Sequence, residues 1–269
     1  MYVFCFVNHC VICCVLCVIC YVLCPIYCPL CVDGGYYLVT EGLAAKYPMR
    51  VCDFPPDETT LVGAGVGYSQ AGFTPIVEIP YSKYLDCASD MFYEMIISNW
   101  LTNGKQPNGV LVRLQGFDKG VFGGNYHTHN VIPLAPGLDV VCYSNGADYV
   151  RGTRYALKQV RNGRVVMSVD STDLLNRRHV DVAAKDSGML SHYPDDADEL
   201  TFDNVILYHG NGVSSSKDFQ VPELGKLKLV IVTYGNGVPT TLLAVQQMMR
   251  ESLVSEDEVL VVDSPYLSS

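Results

Sequence analysis

Glu58 is the carboxylate in this chain that packing does not explain. It stands at the head of ETTLVGAGVGYSQ, within the longer run PPDETTLVGAGVGYSQAGFTPIVEI, where small residues build the helix that follows. Gly63 and Gly67 lie four apart on one helical face, and Ala64 and Ala71 keep that surface thin enough for a second helix to approach closely. A negative charge in the first turn is favoured by the helix dipole, so an N-terminal charge or cap accounts for Glu58 as readily as chemistry does. A second set of reactive types sits in the glycine-rich stretch QGFDKGVFGGNYHTHN. There His127 is suited to stabilising charge or moving a proton near neutral pH, and Gly120, Gly123 and Gly124 would let backbone approach a ligand. His127 and His129 together lack the third ligand that a metal site needs, and loop hydrogen bonding accounts for His129. Asp90 and Arg113 read as structural ion-pairing residues, while Tyr84, one of 18 tyrosines, reads as an exposed or core residue.

The elements that must position these groups alternate along the chain. From Gly34 onward, short apolar runs alternate with helix-like segments, the pattern of an α/β fold with a mainly parallel sheet flanked by helices. MRVCDF reads as a strand, followed by Pro55 and Pro56, a helix from about Glu58 to Ala71, and the strand TPIVEIP. Leu85, Ala88, Phe92, Met95 and Ile96 share one face, which predicts an amphipathic helix over LDCASDMFYEMIISNWL. GVLVRL, DVVCYS and RVVMSVD are further strands, with a helix from Ala147 to Val160 between the last two. The histidine-bearing stretch fits neither period and reads as a functional loop. Residues 186–225, which include the polar SHYPDDADEL, are expected to form a linker. Beyond them KLVIVTYGNGV, PTTLLAVQQMMRESL and DEVLVVDS read as strand, helix and strand, the start of a second, truncated α/β domain over 226–269. A lone βαβ unit of this kind leaves sheet face and edges uncovered.

Composition narrows the function classes. Across 269 residues the apolar fraction of 49% is ample for a buried core, and 28 acidic against 18 basic residues carry the wrong sign for unspecific attraction to nucleic acid or an anionic membrane. Nine of the 12 cysteines precede residue 33, and only Cys52, Cys87 and Cys142 belong to the rest, which argues against a disulfide framework and suits a reducing compartment. Residues 1–32 contain no Asp, Glu, Lys or Arg. Three readings of that tract stand: a low-complexity artefact of an incorrect gene start, a membrane or signal anchor interrupted by Pro25 and Pro29, and a thiolate metal site of irregular spacing.

Pro55 to Ile79 resembles the segment of E1 beta subunits of 2-oxo acid dehydrogenases in which a Glu precedes a small-residue helix and a Pro-Ile-x-Glu strand. The resemblance continues through the helix bearing Asp90, the VRLQG strand end, the YHTH loop and APGLDVV, and VTYGNGV resembles the start of the family's second domain. It implies a thiamine diphosphate-binding, pyrimidine-type domain over 33–185. Glu58 then corresponds to the glutamate that hydrogen-bonds N1′ of the aminopyrimidine, sharing its proton so that N4′ can take the proton from thiazolium C2. Tyr84 matches the aromatic residue that packs on the aminopyrimidine, and Pro80 matches a neighbouring contact. His127 stands where the family has His-Ser-Gln, and His129 departs from that pattern, which puts the fine positioning of His127 in doubt. The resemblance also suggests a monovalent cation, K+, held by backbone carbonyls near Val110, Ala156 and Leu157, although the family's acidic ligand appears here as Gln159 or is displaced.

The Gly-Asp-Gly sequence through which such enzymes hold Mg2+ and the diphosphate does not occur here. In two-chain enzymes of the family it belongs to the alpha subunit, so the resemblance implies an alpha-type partner in an alpha2-beta2 assembly and a lipoyl-bearing E2 acceptor. The expected reaction is oxidative decarboxylation of a 2-oxo acid, with branched-chain substrates and pyruvate leading and acetoin as a further substrate. The alternative expectation is a noncatalytic or truncated interaction module attached to a membrane through residues 1–32. Such an enzyme would be mitochondrial or plastid in a eukaryote and cytoplasmic in a bacterium.

Overall fold

The protein is described from a computed structural model over residues 26–27, 40–106, 108–116, 137–175, 193–209, 212–215 and 224–268. The first of its two sheets contains β1 (Ile26–Tyr27), β2 (Val51–Cys52), β3 (Ile76–Ile79), β4 (Val110–Gly116), β5 (Leu138–Val141) and β6 (Val165–Ser171). All pairings are parallel and the spatial order is β2-β1-β3-β4-β6-β5. The connecting helices are α1 (Leu43–Lys46), α2 (Glu58–Gln70), α3 (Ser89–Leu101) and α4 (Gly146–Arg161), with α5 (Thr172–Leu175) following β6. This is the expected α/β fold.

Every residue of β4 and β6 is buried, as parallel strands covered on both faces must be. Their alternate residues divide between two cores. Val112, Leu114, Val165 and Met167 pack with Leu61 and Val62 of α2 and Phe92 and Met95 of α3. Leu111 and Val166 face the other way, onto Val150, Leu157 and Val160 of α4.

Two segments differ from the sequence reading. The expected helix over LDCASDMFYEMIISNWL begins as a 3-10 helix, Ser82–Ala88, and becomes α-helical only at Ser89. Leu85 and Ala88, both buried, are three residues apart, a spacing that serves either helix type, so the apolar pattern does not separate them. The expected linker over 186–225 holds two strands of the second sheet, β7 (Ile206–His209) and β8 (Gly212–Ser215). The run Ile206, Leu207 and Tyr208 is buried but too short to register against its polar surroundings. β7 pairs antiparallel with β8 and with β10 (Val259–Asp263), and β10 lies parallel to β9 (Leu229–Thr233), which is joined to it by α6 (Gly237–Arg250).

Of the cysteine-rich tract, Ile26 and Tyr27 are described, and their backbone pairs between β2 and β3. The rest of the tract, His127 and His129 lie outside the described residues. Among the described residues, no helix is long and apolar enough to cross a membrane.

The two sheets share a core in which Tyr143 and Tyr149 meet Ile206, Tyr208, Val238 and Val261. The segment after β10 returns along β5: Cys142 N donates to Pro265 O and Leu267 N to Val140 O, both at 2.8 Å, and Tyr266 forms an antiparallel bridge with Val141.

Candidate functional site

The start of α2 is capped by Asp57, not Glu58. Asp57 has extended backbone, its carboxylate accepts from Thr60 N at 3.4 Å and from the Thr60 hydroxyl, and these bonds hold its pKa below the ordinary aspartate value. The capping role is therefore filled one residue earlier. Glu58 is left half-buried in the first turn, and among the described residues no hydrogen bond or ion pair engages its carboxylate.

Because α2 follows β2 and runs back toward the start of β3, its N-terminus lies at the carboxyl ends of the strands, where open α/β sheets place their ligands. The Thr59 hydroxyl donates to Cys87 O at 2.8 Å and pins this end of α2 to the 3-10 helix after β3. Pro80 and Tyr81 are buried at the head of that 3-10 helix and Tyr84 is half-buried; the Tyr81 and Tyr84 rings meet edge to face at 5.7 Å. A Cβ on Gly116, the last residue of β4, would lie 3.0 Å from Val169 Cγ1 and 3.5 Å from Ser82 Oγ. The end of β4, from which the chain leaves toward His127, thus abuts the same 3-10 helix. The 3-10 helix that follows Pro80 and carries Tyr84 is thus tied to the first turn of α2 through Thr59, the residue after Glu58, while His127 lies outside the described residues.

On the α4 face of the sheet the carboxyl ends turn polar. Glu78, Arg113 and Ser168 occupy one register row, with Asp170 two residues further along β6. Arg113 Nε lies 2.6 Å from Asp170 Oδ2 and Arg113 Nη1 2.9 Å from Glu78 Oε1, all three side chains buried. The Nη1 contact is an ion pair without a well-aligned hydrogen bond. Tyr149 OH donates to Asp170 at 3.1 Å, as does Ser168 Oγ. Burial works to lower the Arg113 pKa, but Asp170 and Glu78 outweigh it and hold the guanidinium well above its ordinary value. Burial pulls Asp170 upward against the same guanidinium, and an always-charged partner at this distance keeps the pair ionised. Beyond the network, Gln115, Ser171 and Thr172 are buried, and among the described residues neither Gln115 amide atom nor either hydroxyl has a hydrogen-bond partner. The sequence reading singled out Arg113 but missed Glu78, Asp170, Tyr149 and Gln115. The available signal was the alternation in VLVRLQG, which puts Arg113 and Gln115 on one face of an otherwise apolar strand.

Val110, Ala156 and Leu157 lie at the opposite, amino end of the sheet. All three are buried, and a Cβ on neighbouring Gly109 would fall 1.8 Å from Val160 O, so the start of β4 touches the end of α4. In that last turn the Lys158, Gln159 and Val160 carbonyls accept from Asn162, Arg164 and Gly163. An open groove of about 790 Å³, lined in part by Gly72, Phe73, Lys105 and Arg161, also lies at this end, so cleft size does not mark the Glu58 end. Among the described residues, no group of three or more His, Cys, Asp or Glu could hold a metal ion.

Residues 32–174, just over half of the chain, match the family described as transketolase, pyrimidine binding domain. The chain belongs to that family. Its pyrimidine-binding domain is similar to E1-type beta subunits. The beta subunit of acetoin:2,6-dichlorophenolindophenol oxidoreductase from Cupriavidus necator is 26% identical over 227 residues, covering 83% of this chain and 58% of that protein. The 2-oxoisovalerate dehydrogenase beta subunit from Pseudomonas aeruginosa is 33% identical over 43% of this chain and 34% of its own length. The pyruvate dehydrogenase E1 component beta subunit from Staphylococcus epidermidis is 30% identical, over 44% of this chain and 37% of its own. The chain therefore spans between about a third and three fifths of these relatives' lengths. In fold it is similar to a split-gene transketolase solved as an inactive beta4 tetramer, with a TM-score of 0.54 at 15% identity, covering 90% of this chain and 65% of that one.

The donor set at the start of α2 and at the 3-10 helix tied to it fits an aminopyrimidine. It offers a carboxylate not spent on capping on α2, and a buried proline and a half-buried aromatic ring at the turn into the 3-10 helix. A flat ring with a basic nitrogen asks for these: a planar contact, a rigid wall and one proton-sharing acid.

Proposed function

We propose that this chain supplies the aminopyrimidine-binding half of a thiamine diphosphate site, as the beta-type subunit of a 2-oxo acid dehydrogenase E1. The observation that carries the reading is that Asp57, not Glu58, caps α2, in a turn that Thr59 ties to the 3-10 helix bearing Tyr84. When bound, thiamine diphosphate supplies the electron sink for decarboxylation of the 2-oxo acid. Glu58 holds and shares a proton at the ring nitrogen N1′, which sets the tautomer of the amino group opposite. Tyr84 packs on the ring, and Pro80 forms a wall that keeps water from it. His127 moves a proton or stabilises charge during acyl transfer. K+ at Val110, Ala156 and Leu157 would brace the start of β4 against the end of α4.

An alpha-type subunit contributes the Mg2+ and diphosphate ligands in an alpha2-beta2 assembly, which passes its acyl group to a lipoyl-bearing E2. Branched-chain 2-oxo acids and pyruvate are the leading substrates. In a complex reconstituted with an alpha-type subunit, Glu58→Gln should lower decarboxylation by roughly 10²–10⁴-fold, the usual worth of a positioned acid or base, with assembly unchanged. Turnover equal to that of the unaltered complex would remove Glu58 from the mechanism.

A further inference from the structure

The open groove of about 790 Å³ at the amino end of the first sheet is of a size that holds a small organic ligand, for which about 300–1,000 Å³ is usual. It lies at the far end of the sheet from Glu58, where three helices finish. Ser69 belongs to the last turn of α2, Lys105 follows the end of α3, and Arg161 closes α4. These walls are tied to one another. Gln70 Nε2 donates to Asn108 Oδ1 at 3.1 Å and Asn99 Nδ2 to Gly163 O at 2.9 Å, so the shape of the groove is held without an occupant.

The charge of the lining is opposite to that of the chain. The protein carries a formal charge of -10, yet the described lining has two cations, Lys105 and Arg161, and no carboxylate. Both side chains are exposed, and among the described residues no ion pair or hydrogen bond engages either charged group. Cations at helix C-termini also offset the helix dipole. That demand is small here, because carbonyls of the last turns already accept from the turns that follow: Tyr68 O from Phe73 N, Asn99 O from Gly104 N and Gln159 O from Arg164 N, at 2.9–3.0 Å. Two full charges therefore remain to attract an anion. In the same lining Phe73 is 48% exposed, and Tyr68 meets its ring edge to face at 5.7 Å. A large aromatic ring left open in a cationic groove offers a stacking surface to a flat ligand group. The Ser69 hydroxyl adds a neutral donor.

We propose that this groove binds a small organic anion bearing a flat ring, a nucleoside diphosphate in kind, with Lys105 and Arg161 holding the phosphates and Phe73 the ring. The site is independent of the Glu58 end, and the buried Val110, Ala156 and Leu157 do not line it.

The test is a calorimetric titration of the full chain with ADP, in a chelator that removes Mg2+, with adenosine and pyrophosphate as probes of the ring and of the charge alone. ADP should bind saturably, and adenosine and pyrophosphate each about tenfold more weakly or worse, as expected when one of two contacts is lost. Lys105→Ala and Arg161→Ala should each weaken ADP about tenfold, the worth of one charge-assisted hydrogen bond, and Phe73→Ala by about threefold to tenfold. All three side chains are exposed, so the fold tolerates their removal. The proposal is overturned by the absence of saturable ADP binding, by adenosine or pyrophosphate binding as tightly as ADP, or by an ADP affinity that is equal in the unaltered chain and in both cation variants and so belongs elsewhere.

Discussion

Arg113 is the residue on which the polar half of the sheet depends. Its guanidinium lies between Glu78 and Asp170, three buried charges with Tyr149 and Ser168 bonded to the same network. A buried ion pair adds little net stability over an apolar replacement, but removing one member leaves an uncompensated charge. Arg113→Leu strands two buried carboxylates and should cost about 3–5 kcal/mol in urea unfolding. The triple change Arg113→Leu, Glu78→Leu and Asp170→Leu should cost clearly less. Were the single and triple variants equally unstable, the charge network would not be what the arginine serves. The sequence marked Arg113 as an ion-pairing residue because a strand-end arginine commonly is one. Its partners could not be read there: Glu78 lies 35 positions before it and Asp170 57 after, and only the β3-β4-β6 register aligns them.

Among the elements, α2 repays comparison with its sequence reading. Gly63 and Gly67 stood out by their spacing, yet the helix touches the sheet through Gly65. A Cβ at Gly65 would lie 2.7 Å from Val77 Cγ2, whereas one at Gly63 would make an ordinary 3.5 Å contact with Met91, and one at Gly67 would meet nothing. Gly65→Ala should therefore destabilise by about 1–3 kcal/mol through overpacking. Gly67→Ala should raise the midpoint, since alanine is the better helix former by about 1 kcal/mol. If both substitutions shifted thermal unfolding in the same direction, the contact with Val77 would not govern this helix. Four-residue spacing identifies a helical face but not which face meets the sheet. That choice follows from the orientation of α2 over β3, where the thin point must sit above Val77.

At the scale of the whole molecule, the junction between the two sheets contains a titrating group. Asp263, 1% exposed at the end of β10, accepts from Ser144 at the head of α4. Burial raises its pKa, the Ser144 bond opposes this, and Asp148 adds to it, for a value of about 7 against 3.8 for a free aspartate. The folded state then binds this proton more tightly than the unfolded state does. Its contribution to stability is complete below about pH 4, falls as pH rises and is lost by about pH 7. Over that window it amounts to something on the order of 4 kcal/mol at 1.36 kcal/mol per pH unit. Asp263→Asn retains a polar group without the charge, so its stability relative to the unaltered chain should grow between pH 4 and 8. A difference that stays constant with pH would show that Asp263 does not titrate on unfolding.

Read alone, the sequence determined the parallel α/β class and most strands and helices, and its resemblance to a family singled out Glu58, Pro80 and Tyr84 as the residues to test. Periodicity, turn residues and the order of a family-like series are properties of neighbouring positions, and these were enough. The tertiary structure decided that Asp57 caps α2 and leaves Glu58 unspent, that Thr59 ties this turn to a 3-10 helix bearing Tyr84, and that β7 and β8 occupy the expected linker. It also decided which polar groups share a face at the carboxyl ends of the strands. Residues dozens of positions apart meet there because parallel crossovers return each strand to the same end of the sheet, a consequence of chain path and register that no local pattern encodes.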